Sequence, residues 1–259
     1  MLGGGIREGD HGTGGGITMP NTIKIENKNG TKFVAHRGLS GLELENTISA
    51  FVAAGNRSYI GIETDVHVTR DGKFVVYHDD TTERLCDEDI RIGDTDYKKL
   101  KSLTLKPQKN RAVGSDFVIP DLKDYLSICA FYDKVAVLEL KERMTPEVIK
   151  GIYAEVEKYY DPEKLIFISF SLENLKDLRA QQPNANIQYL VQRFDDEILG
   201  YLKEYKLDLD IGYWVCSKEV IDTCHENGIK VNVWTVDNPG DAERLIDYGV
   251  DYITSNILE

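Results

Sequence analysis

The sequence has few of the features that mark disulfide-stabilised, zinc-binding or membrane-spanning proteins. Its four cysteines contain no Cys-x-x-Cys pair; they are Cys86, Cys129, Cys216 and Cys224. Reduced thiols in an intracellular protein account for them better than disulfides or a zinc site do. No apolar run reaches the ~20 residues that a transmembrane helix needs. We therefore predict a cytoplasmic protein.

Positive charge is also scarce. The 31 lysine and arginine residues are outnumbered by 44 aspartate and glutamate residues, which gives a formal net charge of −13. Such a surface repels polyanions, so the composition argues against a nucleic-acid partner and against stable association with an anionic membrane. A small-molecule substrate is compatible with it, although an anionic substrate needs cationic side chains close by. The oligomeric state is left open.

The beginning of the chain differs in composition from the rest. Residues 1–22 are rich in glycine and lack the basic start and apolar middle of a signal peptide. We predict that they form a flexible tail, and that His11 within it has no part in the chemistry. Residues 23–259 show no further break, so we predict one domain there, a length that suits a large α/β barrel.

Apolar segments typical of strands alternate with amphipathic segments typical of helices from Thr31 onward. The predicted strands are residues 32–36, 60–65, 135–141, 165–170, 187–191, 208–212, 230–234 and 251–255. The predicted helices are residues 45–55, 145–160, 171–181, 195–205, 217–228 and 238–249. This alternation indicates parallel strands covered by helices.

Eight strands with seven crossover segments predict an α/β fold, a (β/α)8 TIM barrel. An open doubly wound sheet is the alternative. No Gly-x-Gly-x-x-Gly follows the first strand, which makes a dinucleotide-binding fold the weaker prediction.

The segment "GIETDVHVTRDGKFVVYHDD", residues 61–80, contains an additional strand-like run in its second half. Only eight residues separate Asp65 from that run, too few for a parallel crossover of about a dozen residues or more. Asp71-Gly72 is instead a hairpin turn signal. We predict that the second strand extends beyond the barrel as a β-hairpin and brings His78 roughly level with Glu63.

Two acidic residues on the second strand indicate a cation site. Glu63 and Asp65 are two residues apart in a strand, so they project from the same face. Two carboxylates that converge inside a barrel repel each other unless a proton or a cation lies between them. Oxygen ligands favour Mg²⁺ or Ca²⁺ over zinc. A salt-bridged edge strand is the alternative interpretation.

Other charged residues lie at the ends of the first and third predicted strands. Glu139 can complete a metal site and Lys141 can contact an anionic group, although a mutual ion pair is the alternative. His36 suits proton transfer, and Arg37 offers planar donors to a phosphate. Because the carboxyl ends of barrel strands form the active face, we expect these side chains to converge.

Seven segments carry a family resemblance, in this order: "AHRG", "ENTISAFVAAG", "GIETDVHVTRDGKFVVYHDD", "IPDLKDYL", "LELK", "SFS" and "VNVWTVD". Together they resemble the glycerophosphodiester phosphodiesterase family from about Phe33 to the end of the chain. The combination of His-Arg-Gly, Glu-x-Asp, His-Asp and Glu-x-Lys is a specific, multi-part signal.

The resemblance implies a TIM barrel that holds one divalent cation, Mg²⁺ or Ca²⁺, on Glu63, Asp65 and Glu139. The implied reaction is hydrolysis of glycerophosphodiesters, such as glycerophosphocholine and glycerophosphoethanolamine, to glycerol 3-phosphate and an alcohol.

The resemblance also assigns the remaining site residues. His36 and His78 are implied as the acid and base, without an order between them. Arg37 and Lys141 are implied as phosphate contacts, and Trp234 as part of the glycerol side of the site.

The chain departs from the usual family pattern at two of these segments. Residues 119–122 read "IPDL" where members often have Ile-Pro-Thr-Leu, and residues 254–256 read "TSN" where members often have Thr-Asp. We expect both departures to lie at the periphery and to affect substrate choice rather than the metal site.

Two alternative functions follow from the same barrel. A phospholipase D-like enzyme acting on lysolipids or sphingolipids predicts an apolar or basic rim, whereas the insertion at residues 79–119 is short, highly charged and mixed in sign. A catalytically silent barrel that only binds a metal or phosphoester predicts the loss of a histidine or an acid, whereas all five candidates are present.

Four other features receive structural interpretations. We predict that His67 is a solvated hairpin residue and that the acidic run at residues 86–96 is a solvated loop. His225 is assigned to a surface helix. Trp214 and Phe170 are assigned to core or rim packing, with Phe170 bordering the pocket as the alternative.

Overall fold

A computed structural model describes residues 21–106 and 117–259. The predicted tail at residues 1–22 therefore lies outside the described residues, except for Asn21 and Thr22. The strands are β1 (Lys32–Ala35), β2 (Gly61–Val68), β3 (Phe74–Val76), β4 (Val135–Leu140), β5 (Leu165–Ser169), β6 (Asn186–Val191), β7 (Asp208–Gly212), β8 (Val231–Trp234) and β9 (Tyr252–Ser255). The helices are α1 (Ile48–Gly55), α2 (Tyr97–Leu100), α3 (Leu122–Phe131), α4 (Pro146–Tyr159), α5 (Leu172–Gln181), α6 (Asp196–Tyr205), α7 (Lys218–Glu226) and α8 (Pro239–Asp247). Short 3₁₀ turns lie at Ile92–Asp94, Pro162–Lys164 and Tyr213–Val215.

Eight of the strands close into a parallel barrel. Their order is β1-β9-β8-β7-β6-β5-β4-β2, and β1 also pairs with β2, which closes the ring. The closing junction is short: only Val34 and Ala35 of β1 pair with β2, whereas six residue pairs join β2 to β4. The predicted (β/α)8 TIM barrel is confirmed.

The helices begin where the sequence supplies side-chain caps. Thr47 accepts a hydrogen bond from the backbone N–H of Ala50, so α1 begins at Ile48, three residues after the predicted start. Thr145 caps α4, whose first residue is proline. Such a cap contributes about 1 kcal/mol, because it satisfies a backbone donor that the helix leaves unpaired. The caps therefore fix where each crossover turns back towards the sheet.

The predicted hairpin is present after β2. β3 runs antiparallel to β2, with Val66 opposite Val76 and Val68 opposite Phe74. Continuing this register places His78 opposite Thr64, next to Glu63 in the chain, as the turn signal at Asp71-Gly72 predicted. The hairpin therefore returns the histidine to the strand that carries the acids.

The described part of the insertion has a small core of its own. Leu85, Cys86, Ile92, Leu100 and Leu103 are buried and cluster against the β3 hairpin. The prediction of a solvated loop at residues 86–96 is therefore wrong for two of its residues, although the acids between them are exposed. In the sequence, the acidic residues obscured a series of apolar residues that continues beyond the acidic run, to Leu103.

The inside of the barrel is divided into an apolar and a polar part. Val34, Val137, Ile168 and Leu190 form an apolar cluster. Beside it, three buried polar side chains are linked: Asn232 donates to Gln188 at 3.1 Å and accepts from Thr254 at 3.1 Å. Polar groups inside a barrel are stable only when hydrogen-bonded, so this chain of contacts fixes their orientation.

Over the ranges that the structure describes, every helix is too short or too polar to cross a bilayer.

Candidate active site

A cavity opens at the carboxyl ends of the barrel strands, the position at which TIM barrels carry their active sites. Its lining joins charged groups on one side to apolar groups on the other: His36, Arg37, Glu63, His78, Glu139, Ile168, Phe170, Leu190, Asp210, Trp234, Thr235 and Thr254. Most of the sequence-predicted site residues are therefore brought to one cavity. Asp65 and Lys141 are not part of this lining and contact it from behind.

Three carboxylates converge beside the cavity. Glu63, Asp65 and Glu139 each place an oxygen within 4.8 Å of the other two. Asp65 and Glu139 are paired residues on the neighbouring strands β2 and β4, and Glu63 lies one pleat earlier on the same face. All three are at least 93% buried, with exposed fractions of 2%, 1% and 7%.

This burial makes the three acids electrostatically unequal. Burial and the charge of Asp65 raise the pKa of Glu139 to about 7, and they raise the pKa of Glu63 well above its usual range. Burial also opposes ionisation of Asp65, but Lys141 and Arg37 outweigh it and hold its pKa well below the usual range. Without a cation, burial and mutual repulsion therefore make it unfavourable for all three carboxylates to be ionised at once.

The same residues fit a hard divalent cation. All the donors are carboxylate oxygens, which Mg²⁺ and Ca²⁺ prefer. Oδ1 of Asp65 is buried and has no hydrogen-bond partner in the described part of the chain, although Lys141 Nζ lies 3.5 Å away. Lys141 Nζ also lies 2.9 Å from Oε1 of Glu139, so one ammonium group neutralises two of the three acids only in part. The alternative interpretation, a simple ion pair between Glu139 and Lys141, describes this contact but does not account for the buried carboxylate of Glu63.

The His-Arg-Gly turn after β1 positions a second cationic side chain. Arg37 has a φ of 53°, and its backbone N–H donates to Oε2 of Glu63 at 2.7 Å. Gly38 has a φ of 73°, and a Cβ there would lie 2.6 Å from the carbonyl carbon of Ala50. Only glycine fits that position. The turn therefore brings Arg37 over the carboxylates, where its buried Nε lies 3.8 Å from Oδ2 of Asp65 and has no hydrogen-bond partner among the described residues.

His36 is held by a neutral partner. Its Nδ1 lies 2.7 Å from Oδ1 of Asn256, which also accepts a hydrogen bond from Ser40. Nδ1 must then carry the proton, which leaves Nε2 as a basic nitrogen. Burial and the nearby Arg37 lower the pKa of His36 to about 4. This histidine is therefore neutral near pH 7.

Asn256 corrects one prediction. It is the residue at which "TSN" departs from the usual Thr-Asp, and it was expected at the periphery. Instead its amide links His36 to Asp237, to which it donates at 2.6 Å. The sequence showed the departure, but the contact arises from the meeting of β1 and β9, which are distant in the chain.

His78 is held by a charged partner. Its Nδ1 lies 2.6 Å from Oδ1 of Asp79, whose other oxygen accepts from Arg84 at 2.6 Å. Arg84 also contacts Glu45, and Glu45 in turn accepts from Arg37 at 2.9 Å. Burial lowers the pKa of His78, while the negative charges nearby oppose that shift. An unbroken chain of charged contacts thus connects this histidine to Arg37.

An aromatic wall closes the opposite side of the cavity. Trp234 makes edge-to-face contacts with Phe170 at 5.6 Å and with Trp214 at 5.3 Å between ring centroids. Phe170 and Trp214 are 44% and 56% exposed and form the rim, so Phe170 does border the pocket. The Nε1–H of Trp234 is buried, and no residue that the structure describes accepts a hydrogen bond from it.

Asp210 is a site residue that the sequence analysis missed. It lies on β7, lines the cavity and is 2% exposed, and its Oδ1 has no hydrogen-bond partner. Burial and the charge of Glu139 raise the pKa of the Asp210 carboxyl group well above the usual range. The signal was present, since Asp208 and Asp210 repeat the acid-x-acid spacing of Glu63 and Asp65.

The prediction for His67 is wrong. It was assigned to the solvated part of the hairpin, but it is 1% exposed. The described insertion covers the end of β2 and encloses the imidazole, which the local sequence does not reveal. His225, by contrast, lies in α7 and is partly exposed, as predicted.

Comparisons with known proteins give several glycerophosphodiester phosphodiesterases among the relatives of this chain. The chain is 29% identical to the glycerophosphodiester phosphodiesterase of Caldanaerobacter subterraneus subsp. tengcongensis, over 87% of this chain and 94% of the relative. Its fold matches an Oleispira antarctica phosphodiesterase solved in complex with the product sn-glycerol-3-phosphate, with a TM-score of 0.81 and 26% identity over 87% and 93% of the two chains. A glycerophosphodiester phosphodiesterase structure from Parabacteroides distasonis matches with a TM-score of 0.75 and 29% identity over 89% and 94% of the chains.

The sequence profile of the glycerophosphoryl diester phosphodiesterase family matches residues 36–258, which include all the converging acids and both cavity histidines. With the barrel and its cavity in place, this match shows that the chain belongs to the glycerophosphoryl diester phosphodiesterase family and is a phosphoric diester hydrolase.

Proposed function

We propose that the protein hydrolyses glycerophosphodiesters, such as glycerophosphocholine and glycerophosphoethanolamine, to glycerol 3-phosphate and an alcohol, and that it depends on a divalent cation. The convergence of three buried carboxylates with two histidines in one cavity is the observation that carries the proposal. The product bound in the Oleispira antarctica enzyme, a protein of the same fold, supports the substrate class.

The cation is assigned to Glu63, Asp65 and Glu139. When bound, Mg²⁺ or Ca²⁺ would supply Lewis-acid polarisation of the non-bridging phosphate oxygens. The unequal pKa values of the three buried acids favour this assignment. Without a cation, the pKa of Asp65 is low, while burial and the charge of Asp65 raise the pKa values of Glu63 and Glu139 beside it.

The histidines are assigned opposite roles. His36 acts as the base, because it is neutral near pH 7 and its Nε2 is free to take the proton of the attacking oxygen, either water or the glycerol 2-hydroxyl. His78 acts as the acid that protonates the leaving alcohol, because the Asp79 carboxylate stabilises its imidazolium form. Burial lowers the pKa of both histidines, but only His78 has a carboxylate hydrogen-bonded to its Nδ1 that opposes this shift, which makes it the better acid of the two.

The substrate contacts are assigned by charge and shape. Arg37 and Lys141 neutralise the developing charge on the phosphate, and both side chains already lie beside the carboxylates, Arg37 Nε at 3.8 Å and Lys141 Nζ at 3.5 Å from Asp65. Trp234 lines the glycerol side and offers its unpaired Nε1–H to a hydroxyl group. These two cationic side chains let an acidic protein bind the monoanionic phosphodiester group of the substrate.

The test is release of glycerol 3-phosphate from a panel of glycerophosphodiesters, with chelator and after addition of Mg²⁺ or Ca²⁺. Activity should vanish with chelator and return with one of the two ions, and alanine at His36 or His78 should lower kcat by about 10²–10⁴-fold. Near-normal turnover in either variant, or in chelator, contradicts the proposal. Circular dichroism of each variant separates lost chemistry from lost folding.

One observation favours a second candidate, a phospholipase D-like enzyme acting on lysolipids or sphingolipids. Phe170 and Trp214 expose large aromatic surface at the rim, where a lipid could lie. The net charge of −13 opposes contact with an anionic bilayer. Flotation with neutral and anionic liposomes decides: we expect no protein in the lipid fraction, and co-flotation that is lost in Trp214→Ala would favour the lipid-directed activity.

A further inference from the structure

A second group of potential metal ligands lies beside the three-carboxylate cluster. His67 on β2, Asp80 after the hairpin and Glu142 after β4 each place one ligand atom so that the three atoms lie within 4.8 Å of one another. The side chain of His67 is fully buried, whereas those of Asp80 and Glu142 are 51% and 29% exposed. The group therefore opens to solvent on the carboxylate side, where an ion can enter.

The buried imidazole points to a ligand. Nδ1 of His67 lies 3.6 Å from Oε1 of Glu142, and within residues 21–106 and 117–259 neither of these buried atoms has a hydrogen-bond partner. Nε2 lies 3.5 Å from the backbone carbonyl oxygen of His78. Metal-bound histidines almost always direct their second ring N–H to such an acceptor. In that tautomer Nδ1 and Oε1 are two acceptors facing each other, and a cation between them removes the conflict.

Arg91 shows that this position attracts positive charge. Its Nη2 lies 3.4 Å from Oδ2 of Asp80 and 3.5 Å from Oε1 of Glu142. Its side chain is 47% exposed, so it can move into solvent and leave the two carboxylates to another cation. Arg91 thus competes with a metal ion for the two carboxylates. Removing Arg91 should raise the affinity for the ion, whereas removing a ligand should lower it.

We propose that His67, Asp80 and Glu142 form a second cation site, for a divalent transition metal such as Zn²⁺ or Mn²⁺. One imidazole and two carboxylates suit these ions, whereas Mg²⁺ and Ca²⁺ prefer oxygen ligands alone. Two ligands that each lie about 2.1 Å from a tetrahedral ion are roughly 3.4 Å apart, close to the observed separation of Nδ1 and Oε1. A bound ion would tie Asp80, two residues after His78, to the ends of β2 and β4.

The test is calorimetric titration of Zn²⁺ into the full chain in saturating Mg²⁺. We expect wild-type protein to bind Zn²⁺, His67→Gln to bind it at least tenfold more weakly, and Arg91→Gln to bind it several-fold more tightly. His225→Gln is the matched control, because its Nε2 also lies 2.9 Å from a carboxylate, that of Asp251, but outside the proposed site. Its affinity should equal that of wild type, and so should that of His11→Gln.

Further variants keep the test decisive. Glu142→Gln, at a partly exposed position, replaces His67→Gln if the buried change prevents folding. Glu139→Gln separates the two clusters, since Zn²⁺ binding should survive it. Tetrahedral absorption bands of added Co²⁺ should disappear with His67→Gln. The proposal is overturned if wild-type protein binds no Zn²⁺ in the micromolar range, if both ligand variants match wild type, or if only Glu139→Gln loses the ion.

Discussion

Replacing Glu139 by glutamine should stabilise the cation-free protein and weaken its stabilisation by Mg²⁺ or Ca²⁺. Burial and Asp65 raise the pKa of this carboxyl group from 4.5 to about 7, so the folded state binds more protons than the unfolded state across that window. The stability of wild-type protein in chelator should therefore fall as the pH rises from about 4.5 to 7. A shift of this size corresponds to about 3 kcal/mol as an upper bound, because one pKa unit is about 1.4 kcal/mol.

The effect is measurable by thermal unfolding. At pH 8 in chelator, Glu139→Gln should melt up to about 6–12 °C above wild type, because 1 kcal/mol shifts the Tm of a chain of this size by about 2–4 °C. A cation at a hundred times its Kd should stabilise wild type by about 2.7 kcal/mol. The variant, which keeps only two of the three ligands, should gain much less. The reasoning is refuted if the variant is no more stable than wild type at pH 8 in chelator, or if cations stabilise both proteins equally.

Three further predictions concern the groups around the cavity. Asp79→Asn should move the alkaline limb of the kcat/KM profile down by about one to two pH units, because the carboxylate stabilises protonated His78 by about 1.5–3 kcal/mol; an unchanged limb would show that His78 is not the acid. Asn256→Ala should lower kcat about tenfold at constant KM, because His36 loses the partner that fixes its tautomer; a change confined to KM would contradict this. Trp234→Phe should raise KM about fivefold through loss of one hydrogen bond of about 1 kcal/mol, and equal KM values would exclude a substrate contact at Nε1.

The barrel and the convergence of the acids followed from local signals. Alternating strands and helices fix a parallel sheet, and the carboxyl ends of its strands then share one edge, so Glu63 and Glu139 had to lie close together. The hairpin was predictable for a similar reason, because Asp71-Gly72 is a turn signal of local origin. These predictions needed no knowledge of which distant segments meet.

The features that the sequence did not reveal depend on contacts between segments that are distant in the chain. His67 is buried because a segment of the insertion more than ten residues away folds over it, and Asn256 reaches His36 because β9 pairs with β1. The core of the insertion was concealed by the acids around Ile92. Asp210 was missed because its strand is short and polar, although its acid-x-acid spacing was visible.

The junction between β1 and β2 has a consequence for how the enzyme loses activity on heating. Only two residue pairs join these strands, as few as join β8 to β9, and beyond them the backbone N–H groups of Arg37 and Gly38 donate to Glu63. His36 and Glu63 lie on opposite sides of this narrow seam. Thermal opening there parts the proposed base from a proposed cation ligand while the wider junctions stay intact, so inactivation is expected before the helices melt.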